Sequence, residues 1–420
     1  MKNKMQILNL GKASLKIGSG ATPRGGKNSY LGGSVSLIRS LNVFDDRFHT
    51  EGLAMISDEQ SRALNNVTVE EDDLLFNITG ASIARCCIVP KDVLPARVNQ
   101  HVAIIRTDKA ILNPYYLHYY LILPEVKSNL LSASGGSSRE AITKDQLEGL
   151  EFEVADINTQ NSIAQTLTSL DYMIELNNKM IIEIENTARL IYDYWFIQYD
   201  FPDKNGKPYK SSGGSMVFND HLKRDIPAGW NVRNFLEVAQ WIGGAQPPKS
   251  TFKYKPAIGY VRFIQNRDYA NSNNETYIPE RSSNKLCDRY DILVDKYGDA
   301  GRTRYGLSGA YNVALARIKT NLNNSQEYIR KFLESESIYN YLYNACMAST
   351  RASLNEDILG NLYVAVPPDE ILNEFELQQK NFINMILYKR QEIIQLSDLR
   401  DWLLPLLMTG QVSINKLLEI

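Results

Sequence analysis

Cysteine is scarce in this chain: four residues in 420 (Cys86, Cys87, Cys287, Cys346), without a C-x-x-C spacing. Neither a disulfide framework nor a zinc cluster is encoded, and the sequence predicts buried free thiols. Long apolar runs are also missing. No stretch approaches the roughly 18 apolar residues of a membrane span, and the opening MKNKMQILNLGKASLK holds no apolar stretch of signal-peptide length. A cytoplasmic protein is expected. Net charge is nearly absent, 46 Lys plus Arg against 48 Asp plus Glu. Disorder is excluded by 44% hydrophobic and 10% aromatic residues, and the length suggests two to four domains at about 150 residues each.

Catalytic motifs are equally thin. The four histidines (His49, His101, His118, His221) form no H-E-x-x-H, and neither G-x-S-x-G nor a paired-carboxylate motif occurs. GSGATPRGGKN (Gly18 to Asn28) approaches a P-loop, but Lys27 is displaced by one position and Asn28 stands where Ser or Thr is needed. LNPYYL (Leu112 to Leu117) resembles the Asn-Pro-Pro-aromatic motif of amino-methyltransferases without its second Pro. Asn113 as a helix cap with Pro114 in the first turn explains that string fully. PDKNGK (Pro202 to Lys207) has acid and lysine but lies in loop composition. No catalytic residue, metal ligand or cofactor site is assigned to this chain.

What is present is an internal repeat. IGSGATP (Ile17 to Pro23) returns as IGGAQPP (Ile242 to Pro248), SLIRSLNV (Ser36 to Val43) as RFIQNRDY (Arg262 to Tyr269), and DLLFNITG (Asp73 to Gly80) as DILVDKYG (Asp291 to Gly298). HVAIIRTD (His101 to Asp108) matches NVALARIKT (Asn312 to Thr320), and SSREAITKDQL (Ser137 to Leu147) matches STRASLNEDIL (Ser349 to Leu359). The offsets run from 226 down to 211 and settle at 212, so element order persists while loops differ. Each copy opens with an α+β part of short apolar runs, turns and one helix pattern, and closes with a helical part.

The closing part of copy one has Ile163, Leu167, Leu170, Ile174, Asn177, Ile181, Ile184, Ala188, Ile191 and Trp195 in a heptad alternation. Adding 212 gives Phe375, Gln379, Phe382, Ile386, Lys389, Ile393, Leu396, Arg400, Leu403 and Leu407. The fold expected is α+β: two tandem α+β domains joined by two long antiparallel coiled-coil helices, related by a pseudo-two-fold. In that arrangement the front parts sit at opposite ends, and the polar Asn177 and Lys389 select register. The boundaries read 1–155 for the first domain, 156–198 for the first helix and 199–225 for a linker. They continue with 226–366 for the second domain, 367–410 for the second helix and 411–420 for a tail.

Charge is segregated within this frame. Residues 1–30 carry six basic side chains and no acid, residues 296–319 five against Asp299, and residues 156–200 seven acids against Lys179 and Arg189. Such patches attract phosphate even in a slightly acidic chain. The polar loop residues of copy one are Thr22, Arg24, Lys27, Tyr30, Arg39, Asn42, Thr79, Arg85, Asn99, Gln100, Ser137, Ser138 and Arg139. Those of copy two are Lys249, Tyr254, Gln265, Asn266, Arg267, Lys296, Arg302, Arg304, Asn312, Ser349, Thr350 and Arg351. Arg, Asn and Gln read guanine and adenine edges bidentately, and Ser, Thr and Lys position phosphates, so these residues are candidate DNA contacts.

WFIQYDFP (Trp195 to Pro202), GKPYKSSGGSMV (Gly206 to Val217), IPAGW (Ile226 to Trp230), VPP (Val366 to Pro368) and LLPLLMTGQV (Leu403 to Val412) carry a family resemblance. With the two-copy order, the chain resembles the specificity subunit of type I restriction-modification enzymes over essentially its whole length. Copy one lacks the I-P-x-G-W opening, and EFEVADIN (Glu151 to Asn158) lacks the Pro-Pro of copy two. The resemblance implies two target recognition domains, each reading half of a split site in double-stranded DNA. It implies helices that act as spacer and dock two modification (methyltransferase) subunits, with restriction subunits completing the enzyme. S-adenosylmethionine, ATP and Mg would then belong to those partners. Two other classes compete: a coiled-coil scaffold without sequence-specific DNA binding, and a self-contained DNA-modifying enzyme. Steeply salt-dependent DNA affinity separates the first, and methyl transfer by the purified chain would revive the second.

Overall fold

The structure is a computed structural model that describes residues 5–23, 30, 32–45, 47–134, 141–270, 275–348 and 353–412. It divides into two compact units, residues 1–176 with 392–420 and residues 177–391.

In the first unit β1 (Gln6–Asn9) pairs with β10 (Glu151–Val154). β2 (Ser14–Ser19), β9 (Val102–Thr107), β6 (Leu74–Asn77) and β7 (Cys86–Ile88) form one four-stranded sheet in that order. A second sheet runs β4 (Ala54–Ile56), β3 (Val35–Ile38), β8 (Ala96–Val98), β5 (Thr68–Val69), with β3 and β8 parallel. The inner strands β6 and β9 of the first sheet are buried on both faces, which is why they read as continuous apolar runs rather than alternating ones, whereas β2 at its edge is half exposed. Leu74, Phe76, Ala103 and Ile105 join a core with α2 (Pro114–Leu121), while Leu75, Val102 and Ile104 point to the second sheet. α1 (Asp58–Ala63), α3 (Pro124–Ser134) and α4 (Lys144–Glu148) complete the unit. The Asn113–Pro114 helix start is present: Asn113 Oδ1 accepts from the amides of Tyr115 and Tyr116 at 2.9 and 3.1 Å.

The second unit repeats this topology strand for strand. β13 (Asn231–Asn234) pairs with β22 (Tyr363–Val366). The sheets run β14 (Ala239–Gly243), β21 (Leu315–Thr320), β18 (Ile292–Asp295), β19 (Thr303–Arg304), and β16 (Tyr277–Pro279), β15 (Tyr260–Ile264), β20 (Gly309–Tyr311), β17 (Leu286–Cys287). Registers agree as well: Leu37 faces Arg97 in the first unit as Phe263 faces Ala310 in the second. Helices α6 (Phe235–Val238), α7 (Gln326–Glu334), α8 (Glu336–Met347) and α9 (Glu356–Leu359) cover it. The hairpin of β11 (Met216–Asn219) and β12 (Arg224–Pro227) precedes it.

Two long helices, α5 (Ile157–Tyr192) and α10 (Asp369–Met408), have 36 and 40 residues, about 54 and 60 Å at 1.5 Å per residue. Within each unit they pair antiparallel. In the first, Asp171 on α5 holds Arg400 on α10 at 2.8 Å, and Ile163 and Leu167 share a core with Leu403 and Leu407. In the second, Gln379 Nε2 donates to the Ala188 carbonyl at 3.3 Å and Trp195 packs on Phe375. Every heptad position expected on the seam is buried or half-buried. The four cysteines are free and buried, and no described helix is long and apolar enough to cross a membrane.

The segment after α5 is built rather than loose. A π-helical turn (Asp193–Ile197) presents Trp195 and Phe196 to a cluster with Tyr199, Phe201, Trp230, Tyr328 and Phe375. Asp200 accepts from the backbone and hydroxyl of Ser211 at 2.7 and 2.6 Å, bonds that hold its carboxyl below the usual range. Tyr209 stacks on Phe201 at 4.7 Å.

Candidate nucleic-acid interface

In the first unit the residues just after β2, β6 and β8 meet the end of β3 at one sheet edge. Gly20 has no room for a side chain there, because a Cβ on it would lie 1.7 Å from the Val98 carbonyl oxygen. Gly20 N–H bonds to Asn99 O (3.1 Å), Asn99 N–H to Ile38 O (3.0 Å) and Ile78 N–H to His101 O (3.0 Å), tying the loops together. The second unit builds the same crossing. A Cβ on Gly244 would meet Asn312 O at 1.9 Å, and Asn312 N–H bonds to Ile264 O (3.0 Å).

The expected site residues divide by what their side chains do at this edge. Thr22 and Gln100 are exposed, and Tyr30 and Arg85 are half-buried. Arg85 lies over the Phe44 ring at 4.8 Å. Thr79 Oγ1 is 2.6 Å from His101 Nδ1. Arg39 donates Nη2 to the Gly52 carbonyl. Asn42 and Asn99, expected at the surface, are instead buried. Asn42 Nδ2 donates to His49 O (2.8 Å) and Glu51 O (3.3 Å), and Asn99 Oδ1 accepts from the His101 amide (3.0 Å), so both shape loops. Arg24, Lys27, Ser137, Ser138 and Arg139 lie outside the described residues.

In the second unit Lys249, Tyr254, Arg267 and Arg302 are exposed, and Lys296 is half-buried beside the Tyr297 ring. Gln265 Nε2 and Arg267 Nη2 each donate to Thr276 Oγ1 at 3.2 Å. Asn266 Oδ1 is buried without a hydrogen-bond partner among the described residues. Asn312 Oδ1 accepts from the Ala314 amide, a turn-forming bond. Arg304 is engaged internally, Nε and Nη2 reaching Asp295 Oδ2 at 3.1 and 2.8 Å. Burial raises the Asp295 carboxyl, with the Arg304 bonds opposing. Ser349, Thr350 and Arg351 lie outside the described residues.

Arg39 and Gln265 hold equivalent backbone positions. Arg39 N–H bonds to Asn42 Oδ1 at 3.1 Å, and Gln265 N–H to Asp268 Oδ2 at 2.9 Å, so each begins a turn closed by a polar side chain three residues on. Sequence comparison of the copies missed Arg47 and His49, which share this edge: Arg47 Nε donates to His49 Nε2 at 2.9 Å, and His49 stacks on Phe44 at 4.0 Å. The turn from 44 to 53 differs in length between the copies, so repeat matching could not flag it, although an Arg and a His between two matched strands were visible. Among the described residues no cluster of three or more His, Cys, Asp or Glu could hold a metal.

Comparison with known proteins places this architecture. A family model described as the type I restriction modification DNA specificity domain matches residues 19–186 and again 227–395. The type I restriction enzyme MjaIX specificity subunit of Methanocaldococcus jannaschii is 24% identical, with 96% of this chain and 92% of that protein covered. The HindI specificity subunit of Haemophilus influenzae is 21% identical over 90% and 94% of the two chains. The crystal structure of a type I restriction-modification S subunit from M. genitalium shares the fold, with TM-score 0.63 at 13% identity over 97% and 96% of the chains. Because the family match falls once on each copy of the repeat and together spans most of the sequence, the chain belongs to the type I restriction modification DNA specificity family, as a non-catalytic specificity subunit with two tandem recognition domains.

Proposed function

We propose that each unit reads one half of a split site in double-stranded DNA through its loop edge, and that the paired helices dock two modification subunits. Restriction subunits complete the enzyme, which works in the cytoplasm. S-adenosylmethionine, ATP and Mg are held by those partners, not by this chain. The observation that carries the reading is one edge built twice on the same backbone with different side chains at equivalent positions, Arg39 against Gln265 and Asn77 against Asp295. Arg favours guanine O6 and N7 and Gln favours adenine N6 and N7, so the divergence is what two readers of different half-sites require.

Exchanging residues 226–366 for the matching region of a relative, within the assembled enzyme, tests this directly. Methylome sequencing is expected to show one half of the target changed and the other kept. A change in both halves, or in neither, overturns the proposal.

A further inference from the structure

Asn77 and Asp295 end β6 and β18 at matched register, Asn77 facing Val102 as Asp295 faces Leu315. Both are buried, and both act on the turn that begins at Arg39 or Gln265. Asn77 does so directly: Nδ2 donates to Ser40 O at 3.0 Å, to Val43 O at 3.4 Å and to Ser82 Oγ at 3.1 Å. A carboxylate cannot donate to carbonyls. Asp295 instead takes two N–H groups of Arg304, which also lies 3.9 Å from Asp299, and the guanidinium sits 5.6 Å from the centroid of the Tyr269 ring. Tyr269 follows Gln265 by four residues, as Val43 follows Arg39. The two units thus fasten the same point of the same turn by different chemistry: an amide to the backbone in one, a carboxylate–guanidinium–aromatic chain in the other.

We infer that Asn77 in the first unit and the Asp295–Arg304–Tyr269 chain in the second are positioning devices that set where the turn presents its side chains, and so fix the specificity of one half-site each. Arg304 is then a positioning residue, not the DNA contact its charge suggests. The inference rests on the proposed reading of half-sites, and its test keeps the two separable.

Arg304→Ala, Arg304→Lys and Asn77→Asp are assembled into the holoenzyme, and methylation is measured on the cognate DNA and on DNAs with single substitutions in each half-site. Arg304→Ala is expected to cut discrimination roughly tenfold in the half assigned to residues 226–366 by the exchange above, leaving the other half unchanged. Asn77→Asp is expected to do the reverse. Arg304→Lys keeps the ion pair to Asp295 but not the planar group over Tyr269, and restores discrimination only in part. In the free chain, amide exchange of Asp268 and Ala270 should quicken in Arg304→Ala, a readout that needs no DNA. An equal loss on all DNAs, or undisturbed discrimination and exchange, overturns the inference. If the exchange of residues 226–366 moves no half-site while those amides still quicken, it is the half-site reading that fails.

Discussion

At Gly20 a methyl group has nowhere to go, since its place lies 1.7 Å from the Val98 carbonyl oxygen at the end of β8, and Gly244 is confined in the same way by the Asn312 carbonyl. Backbone cannot swing aside as a side-chain tip can, so Gly20→Ala or Gly244→Ala is expected to cost about 1–3 kcal/mol or more, read as a lower melting temperature. An unchanged melt would show that the crossing yields. Arg39 stands at the mouth of this crossing with Nε buried and unpartnered among the described residues. Arg39→Ala is expected to relax one base position in one half-site and to cost about 1–3 kcal/mol of specific affinity, measured by binding to a panel of substituted duplexes. A uniform loss would assign the side chain to phosphate. Glu376 gives a pH signature. Burial raises its carboxyl from 4.5 to about 7, against the hydrogen bond from the Glu327 amide, with Glu327, Arg330 and Lys380 as its charged neighbours. The protonated form therefore contributes stability that is fully present below about 4.5 and lost once pH has risen through about 7. Urea midpoints from pH 4.5 to 8 should fall across that window in the parent and flatten in Glu376→Gln. A parallel fall in both would remove Glu376 as the cause.

The helices were the most legible elements, because a heptad repeated at one offset leaves few alternatives for which side chains face inward. Asn177 is buried and Lys389 half-buried on the paired faces of α5 and α10, and the contact of Ala188 with Gln379 in an antiparallel pair puts Asn177 level with Lys389. Polar seam residues trade stability for register, so replacing both by Leu is expected to raise the thermal midpoint while loosening pairing specificity. Destabilisation by several kcal/mol would show that both side chains are needed where they lie. The order of elements along each copy was legible too, through the IGSGATP and IGGAQPP strings and the DLLF and DILV runs, since a doubly buried strand leaves a compact apolar signature, whereas which strand pairs with which was not. The segment after α5 was not. Its Pro, Gly, Lys and Ser content reads as loop, yet Asp200 caps Ser211, Tyr209 stacks on Phe201, and a hairpin of short, largely exposed strands follows. Those bonds depend on order rather than composition, and composition is what a reading of one sequence weighs. The same limit placed Asn42 and Asn99 among surface contacts: residue type announces hydrogen bonding but not whether the partner is DNA or the chain's own carbonyls.

For the molecule as a whole, a net charge of −2 would ordinarily argue against a polyanion as partner. The argument fails because attraction depends on the local field at the contacting edge, and screening at physiological salt removes charges beyond about 8 Å from that reckoning. At the second unit's edge Lys249 and Arg302 are exposed, whereas Arg304 is bound to Asp295. Lys249 and Arg302 are thus two cations suited to phosphate. Neutralising a phosphate releases condensed counterions, so the slope of log affinity against log salt flattens by about 0.9 for every phosphate left without its cation. Binding of the assembled enzyme to its target is expected to weaken steeply between about 50 and 200 mM salt. Lys249→Ala combined with Arg302→Ala should make that dependence shallower by the equivalent of up to about two phosphates, and should weaken binding to cognate and unrelated duplexes equally. If the double variant keeps the slope and loses only discrimination, these side chains read bases. If affinity is indifferent to salt from the outset, the edge does not meet DNA at all.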